Sequence, residues 1–171
     1  MAKRDPVTVR REILNAAVQS PVPPAPAPKQ HQGVDEWDLL PPLPEIIEAV
    51  NKFTRHYFQL GFIPKRQFPE RLRTNPRTVS VFFLLGVLSI SARLTPSLIQ
   101  RYGGGGVNVA EIFMERATSV ALTELYKEPD LETCQAFYLL SIAQQGSGMK
   151  DQSSVSSSLF SKHGIGILLV C

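Results

Sequence analysis

Four consecutive glycines at 103–106 are the first residues whose pattern suggests ligand chemistry, because glycine-rich loops can cradle phosphate groups. A phosphate-binding loop follows a buried strand and ends in Gly-Lys-Ser/Thr at the start of a helix. No strand pattern precedes these glycines and no lysine follows them, and the stretch 146–150 (GSGMK) fails for the same reasons. We therefore interpret 103–106 as a flexible loop between helices.

The thiol and imidazole groups do not have the spacing of a metal site or of a nucleophile with its base. His31, His56 and His163 lie far apart, and no pair of them has metal-ligand spacing. Cys134 and Cys171 alone cannot complete a four-ligand zinc site or a disulfide framework. Cys134 lies two residues before an apolar stretch, so we interpret it as a buried small hydrophobic residue rather than a catalytic thiol. We expect a protein that is not an enzyme and that has no catalytic, metal or cofactor site in this chain.

Positive charge is concentrated in a short stretch that includes Lys65, Arg66, Arg71, Arg73 and Arg77. Such a cluster can contact phosphate with release of counterions. A solvated surface balanced by carboxylates is the commoner arrangement, and the net charge of +3 is too small to indicate nucleic-acid binding by itself. The pairs Lys3-Arg4 and Arg10-Arg11 resemble a short nuclear-import signal.

The composition favours one domain with an N-terminal linker. The chain has 171 residues, of which 43% are hydrophobic and 19% charged, so it can bury a core. Nine of its 14 prolines lie in the first 44 residues. We predict that 1–42 is disordered, basic at its start and then proline-rich, with a polyproline II spacer over 20–32.

The spacing of apolar residues is helical from Pro44 onward. A first helix is predicted to about Leu60, a short one at 69–73 and an apolar one at 76–94. The uncharged run inside the third of these is too short to span a bilayer, so we predict a buried core helix and no membrane partner.

The helices that follow are predicted from their capping residues. Asn108 and Glu111 form a capping-box pattern at the start of one helix. Asp130 caps the next, which runs from Leu131 to about Gln145 with Gly146 as its C-terminal stop. No alternating strand pattern is present, so the predicted fold class is all-α, an irregular helical bundle of about four to six helices.

Residues 43–150 resemble the regulatory domain of fungal zinc-cluster transcription factors, often called the middle homology region. The stretch 55–72 (RHYFQLGFIPKRQFPERL) is similar to the opening helix, aromatic-proline turn and Phe-centred short helix of that family. The stretch 80–96 (SVFFLLGVLSISARLTP) resembles its buried helix, rich in small residues. The stretch 110–149 (AEIFMERATSVALTELYKEPDLETCQAFYLLSIAQQGSGM) is similar to its Phe-x-x-Arg-Ala helix, acidic-proline break and Thr-x-Gln-Ala helix.

The resemblance implies transcription regulation in the nucleus, with a small-molecule effector or a protein co-regulator as partner. It places the core at Phe82, Phe83, Leu88, Phe113, Phe137 and Leu140. It also makes Arg93, Arg116 and Gln135 candidates for contact with an effector. The alternative for these three is structural: arginines that cap helices or pair with carboxylates, and a glutamine bonded to a neighbouring backbone.

The chain departs from the family at both ends. The family's DNA-binding module holds two zinc ions with six cysteines, and those cysteines are absent here, so DNA and zinc are implied only at the level of the family. Residues 151–171 are a serine-rich, atypical tail, which we interpret as a truncated or altered C-terminus that leaves the regulatory domain partial. The alternative function is a helical protein-interaction scaffold unrelated to transcription.

Overall fold

The helices of the computed structural model follow the predicted apolar periodicity. The structure describes residues 35–57, 59–128 and 130–170, without the side chains of Lys150, Phe160 and 163–170. These residues contain seven α-helices: α1 (Leu43–His56), α2 (Gln67–Thr74), α3 (Val81–Ser91), α4 (Pro96–Tyr102), α5 (Gly106–Glu124), α6 (Leu131–Gly146) and α7 (Lys150–Val170). Three 3₁₀ turns lie at Glu36–Leu39, Pro76–Thr78 and Ala92–Leu94. No strand occurs in the described part of the chain, and the all-α class is confirmed.

Helix α3 is the centre of the core, as its continuous apolar sequence predicts. All eleven of its residues are buried, and α1, α5 and α6 pack around it. The ring of Phe82 meets Phe137 edge to face with centroids 4.9 Å apart, and Phe83 meets Phe68 at 5.1 Å. Each large apolar side chain buried in this way contributes about 1.5–3 kcal/mol. The six core positions implied by the resemblance are all buried: Phe82, Phe83, Leu88, Phe113, Phe137 and Leu140.

Gly86 allows α3 and α6 to approach closely. A Cβ atom added to Gly86 would lie 3.3 Å from the Cβ of Leu139 and 3.4 Å from the carbonyl oxygen of Ala136. Packed Cβ atoms rarely come so near, so a larger side chain at position 86 would have to push the two helices apart. The position therefore sets the distance between the two most buried helices.

The start of α5 differs from the prediction. Asn108 and Glu111 do not form a capping box; the helix begins at Gly106, and no side chain caps it. Gly103, Gly104 and Gly105 all have positive φ, and a Cβ on Gly106 would lie only 2.6 Å from a backbone oxygen of the preceding 3₁₀ turn. The four glycines are needed for this tight turn, which starts the helix before Asn108.

Other helix boundaries agree with the prediction in part. Asp130 caps α6, and its Oδ1 accepts a hydrogen bond from the amide of Thr133 at 2.6 Å. Gly148, rather than Gly146, has the positive φ that ends this helix. Helix α1 ends at His56 instead of Leu60, and 3₁₀ turns replace both ends of the helix predicted over 76–94.

The two segments that flank the predicted domain both contain ordered contacts. Residues 1–34 of the predicted linker lie outside the described residues, whereas Trp37, Leu39 and Leu40 pack against the core. The serine-rich stretch after residue 150 belongs to α7, which packs along α6. The hydroxyl of Ser153 donates to the carbonyl oxygen of Ser141 at 2.9 Å, and that of Ser156 donates to Gln144 Oε1 at 2.7 Å.

Replacing Gly86 with valine is expected to lower the free energy of unfolding by about 1–3 kcal/mol, because the added side chain overpacks the contact between α3 and α6. Urea unfolding followed by far-UV circular dichroism measures the change. The matched control is Gly146→Val, since a Cβ there meets no atom of the described residues within 4 Å. The control is expected to change stability by less than about 0.5 kcal/mol. Equal effects of the two replacements would contradict the close packing at Gly86.

Candidate functional site

The loop that joins α1 to α2 folds back onto the first half of α6. We call residues 59–66 the α1–α2 loop. The Nε2 of Gln135 donates a hydrogen bond to the carbonyl oxygen of Phe62 at 3.1 Å. The ring of Phe62 packs edge to face on Tyr138 with centroids 5.4 Å apart. One polar and one aromatic contact thus hold the loop on α6 across more than seventy residues of sequence.

Two clefts lie beside this contact, and Gln135 lines both. The large cleft has a volume of about 450 Å³ and lies between the loop and α6; it is lined by Gln59, Leu60, Phe62, Leu131, Cys134, Gln135 and Tyr138. The small cleft has a volume of about 170 Å³ and lies between α2, α3 and α6; it is lined by Ile63, Pro64, Gln67, Phe68, Arg71, Phe83, Glu132 and Gln135. The buried side-chain amide of Gln135 therefore lies between the two clefts. The wall of the large cleft is mostly apolar, whereas the small cleft contains Arg71 and Glu132.

An ionic junction crosses the small cleft. Arg71 forms an ion pair with Glu132, and its Nε donates to Thr78 Oγ1 at 3.1 Å. The second carboxylate oxygen of Glu132 accepts a hydrogen bond from the backbone amide of Ser80 at 2.8 Å. We call these contacts the Arg71–Glu132 junction. Because hydrogen bonds to charged groups are stronger than neutral ones, the junction fixes α2 and α6 to the residue that caps α3.

The cations that cluster in the sequence are mostly paired with carboxylates. Besides Arg71, Arg73 lies 3.8 Å from Glu70, and Arg77 contacts Asp35 at 2.7 Å. The hydrogen bond from Arg77, followed by that from the amide of Trp37, lowers the pKa of Asp35. This arrangement confirms the expected surface balanced by carboxylates.

Cys134 forms part of the wall of the large cleft and is 2% exposed, which confirms its predicted burial. Burial raises the pKa of its thiol, and the negative charge of Asp130 raises it further. The thiol is therefore neutral at pH 7 and adds an uncharged surface to the cleft.

The three polar residues that the resemblance implies as candidates have different surroundings in the structure. Only Gln135 lines the two clefts, and its bond to the Phe62 carbonyl is the structural role given above as the alternative to effector contact. Arg116 donates to the carbonyl oxygen of Leu39 at 2.6 Å and lies over the rings of Tyr102 and Phe113, so it holds the first 3₁₀ turn on α5. Arg93 lies in the turn after α3, and its Nε is buried without a hydrogen-bond partner among the described residues.

Sequence reasoning missed the residues that complete the site. Arg71 and Glu132 are 61 positions apart, and Phe62 and Gln135 are 73 apart. No local pattern connects partners at such separations. The one available signal is the proline-aromatic composition of the α1–α2 loop, which is unusual for a solvated connection.

Within the described residues, no group of three or more His, Cys, Asp and Glu side chains could hold a metal ion. No single described helix has the length and hydropathy to cross a membrane; only a pair bent by 93°, Val81–Leu94 with Pro96–Tyr102, meets those criteria together.

Comparison with known proteins yields no relative. No family model, no curated protein and no solved structure matches the chain. Function is therefore inferred from the residues, the geometry of the two clefts and the motifs described above.

Replacing Glu132 with alanine is expected to lower the free energy of unfolding by about 1–3 kcal/mol, because the change removes the acceptor for both Arg71 and the Ser80 amide. Urea unfolding measures the loss. Glu70→Ala is the matched control, since the side chain of Glu70 is 67% exposed and its one ion pair among the described residues is the long contact to Arg73. That control is expected to change stability by about 0.5 kcal/mol or less. If both variants lose the same stability, the junction is no stronger than a surface ion pair.

Proposed function

We propose that this chain is a transcription-regulatory domain, similar to the effector-sensing and inhibitory part of fungal zinc-cluster transcription factors. The observation that carries the proposal is where the resembling stretches meet. The small cleft is lined by Phe68 and Arg71 from the stretch 55–72, by Phe83 from 80–96, and by residues of α6 from 110–149.

This convergence supports the proposal because the three stretches are separate in sequence. Shared motifs whose side chains assemble one cleft are expected when the motifs preserve a common tertiary arrangement. The Arg71–Glu132 junction and Phe83 give that arrangement its polar and apolar contacts.

The mechanism that follows is a change in packing. The α1–α2 loop is fixed to α6 by Gln135, whose neighbour in the next turn back is Glu132 of the junction. An effector or partner protein that binds the loop in one position favours that packing over others and shifts the population of the domain. The surface that α2 and α6 present to a transcription partner then changes with it.

DNA binding and zinc would belong to another module under this proposal. The zinc-cluster module uses six cysteines, and the sequence has two, one of them buried in α6. We propose a nuclear protein that acts on transcription through protein contacts, with DNA contacted indirectly.

A reporter assay tests the inhibitory role. The full chain is inserted between a heterologous DNA-binding domain and an acidic activation segment, and output is compared with the same fusion lacking it. We expect the chain to lower output about fivefold or more, within the usual range of coupling between sites. Glu132→Ala should restore output because it opens the junction, and Glu70→Ala should not. Equal output with and without the chain, at equal protein levels by immunoblot, would contradict the proposal.

One observation favours the alternative of a protein-interaction scaffold outside transcription. Leu122 lies in the last turn of α5 and Tyr126 lies two residues after the helix ends; they are 67% and 93% exposed, as partner-binding apolar residues often are. The cellular location of a fluorescently tagged full chain distinguishes the two functions. Regulation of transcription requires nuclear accumulation, and a wholly cytoplasmic signal would favour the scaffold.

A further inference from the structure

The large cleft has the size and walls of a site for a small molecule. Its volume of about 450 Å³ falls within the range of roughly 300–1,000 Å³ that is typical of ligand pockets. Most of its wall is apolar, and the rings of Phe62 and Tyr138 stand edge to face at one side. Aromatic walls at this angle pack well against a further ring.

The electrostatics of the cleft select against charge. No Asp, Glu, Lys, Arg or His is among the residues that line it, and burial keeps the Cys134 thiol neutral. Arg71 and Glu132 line the small cleft instead and are paired with each other, and the negative charge of Asp130 acts on the Cys134 thiol from outside the lining of the large cleft. An ionised ligand would have to give up its hydration without finding a counter-charge among the residues that line the cleft, which is costly.

Gln135 adds one directional polar group to these walls. Its side chain is more than nine-tenths buried. Its Nε2 is bonded to the Phe62 carbonyl, whereas its Oε1 accepts no hydrogen bond from the described residues and remains accessible. An amide oxygen can accept two hydrogen bonds, so this atom is suited to an N–H or O–H donor on a ligand.

We propose that the large cleft binds a small uncharged aromatic molecule that carries one hydrogen-bond donor. The proposal rests on the proposed function and names the chemical class of its effector. Such a molecule contacts Phe62 of the loop and Gln135 of α6 together, so it stabilises the loop in its present position. Through Gln135 and the adjacent Glu132, occupancy of the large cleft reinforces the Arg71–Glu132 junction.

A pair of dyes with the same ring skeleton tests the chemical class. N-phenylnaphthylamine is uncharged and has one N–H donor, and anilinonaphthalene sulfonate adds only an ionised sulfonate. Both dyes fluoresce more strongly in apolar surroundings, so each can be titrated into the purified full chain. We expect saturable binding of the neutral dye at one site per chain, and binding of the sulfonate weaker by about tenfold or more.

Two equivalent leucines provide the matched variants. Leu131 lines the cleft at the start of α6 and is 62% exposed, whereas Leu122 on α5 is 67% exposed and does not line it. Glutamate at position 131 is compatible with folding, because a negative charge is favourable at a helix N-terminus. Leu131→Glu is expected to weaken the neutral dye about tenfold or more, and Leu122→Glu to change it less than about twofold. Circular dichroism confirms that both variants are folded.

Several outcomes overturn the proposal: binding that does not saturate, equal affinity for the two dyes, or equal loss in the two variants. Sedimentation of the wild-type chain provides a further test, since a dimer that Leu131→Glu converts to monomer would show that a second copy covers the cleft. The titration needs no reporter. A chain that lowers reporter output but does not bind the neutral dye contradicts the cleft proposal alone, and the opposite result contradicts the proposed function alone.

Discussion

The complete burial of α3 is the constraint on which the rest of the structure depends. A helix of eleven residues with no face toward water must be covered on every side, and its hydrophobic surface is large enough to dominate the folding free energy. Helices α1, α5 and α6 provide that cover. Gly86 lets α6 come close enough to exclude solvent from the interface. The positions of the other helices are therefore determined largely by the need to cover α3.

The candidate site lies at the N-terminal end of α3, where the backbone amides of this apolar helix need hydrogen-bond partners. The first amide groups of a helix have no partners within the helix, and at α3 the side chains of Ser80 and Glu132 lie at its start. Glu132 is held in turn by Arg71 of α2. The N-terminal ends of α3 and α6 therefore come together at one end of α2, with Gln135 one turn further along α6. Under the proposed function, a ligand bound at this end would contact elements that are linked to three helices at once.

Serine hydroxyls contribute to the packing of the described part of α7 on α6. Ser153 and Ser156 donate to oxygen atoms of Ser141 and Gln144, and Gln144 Nε2 lies 3.5 Å from Thr118 Oγ1 on α5. Buried polar groups are tolerated when they are bonded in this way. A stretch whose composition resembles that of a solvated tail thus becomes part of the helical domain, because its small side chains permit close approach and its hydroxyls find acceptors.

The sequence by itself determined the all-α class, the burial of α3 and of Cys134, and the Asp130 cap of α6. These properties depend on apolar periodicity and on capping within three or four residues, which are visible locally. The tertiary structure alone decided which distant side chains meet. Arg71 with Glu132, and Gln135 with Phe62, are pairs formed only after the chain has folded around α3, and neither partner carries a signal for the other. The start of α5 at Gly106 has the same origin, since it depends on the backbone of Arg93 lying against that glycine. Local interactions determine which segments become helices. The packing of segments that are distant in sequence around a common core determines which side chains form the candidate site.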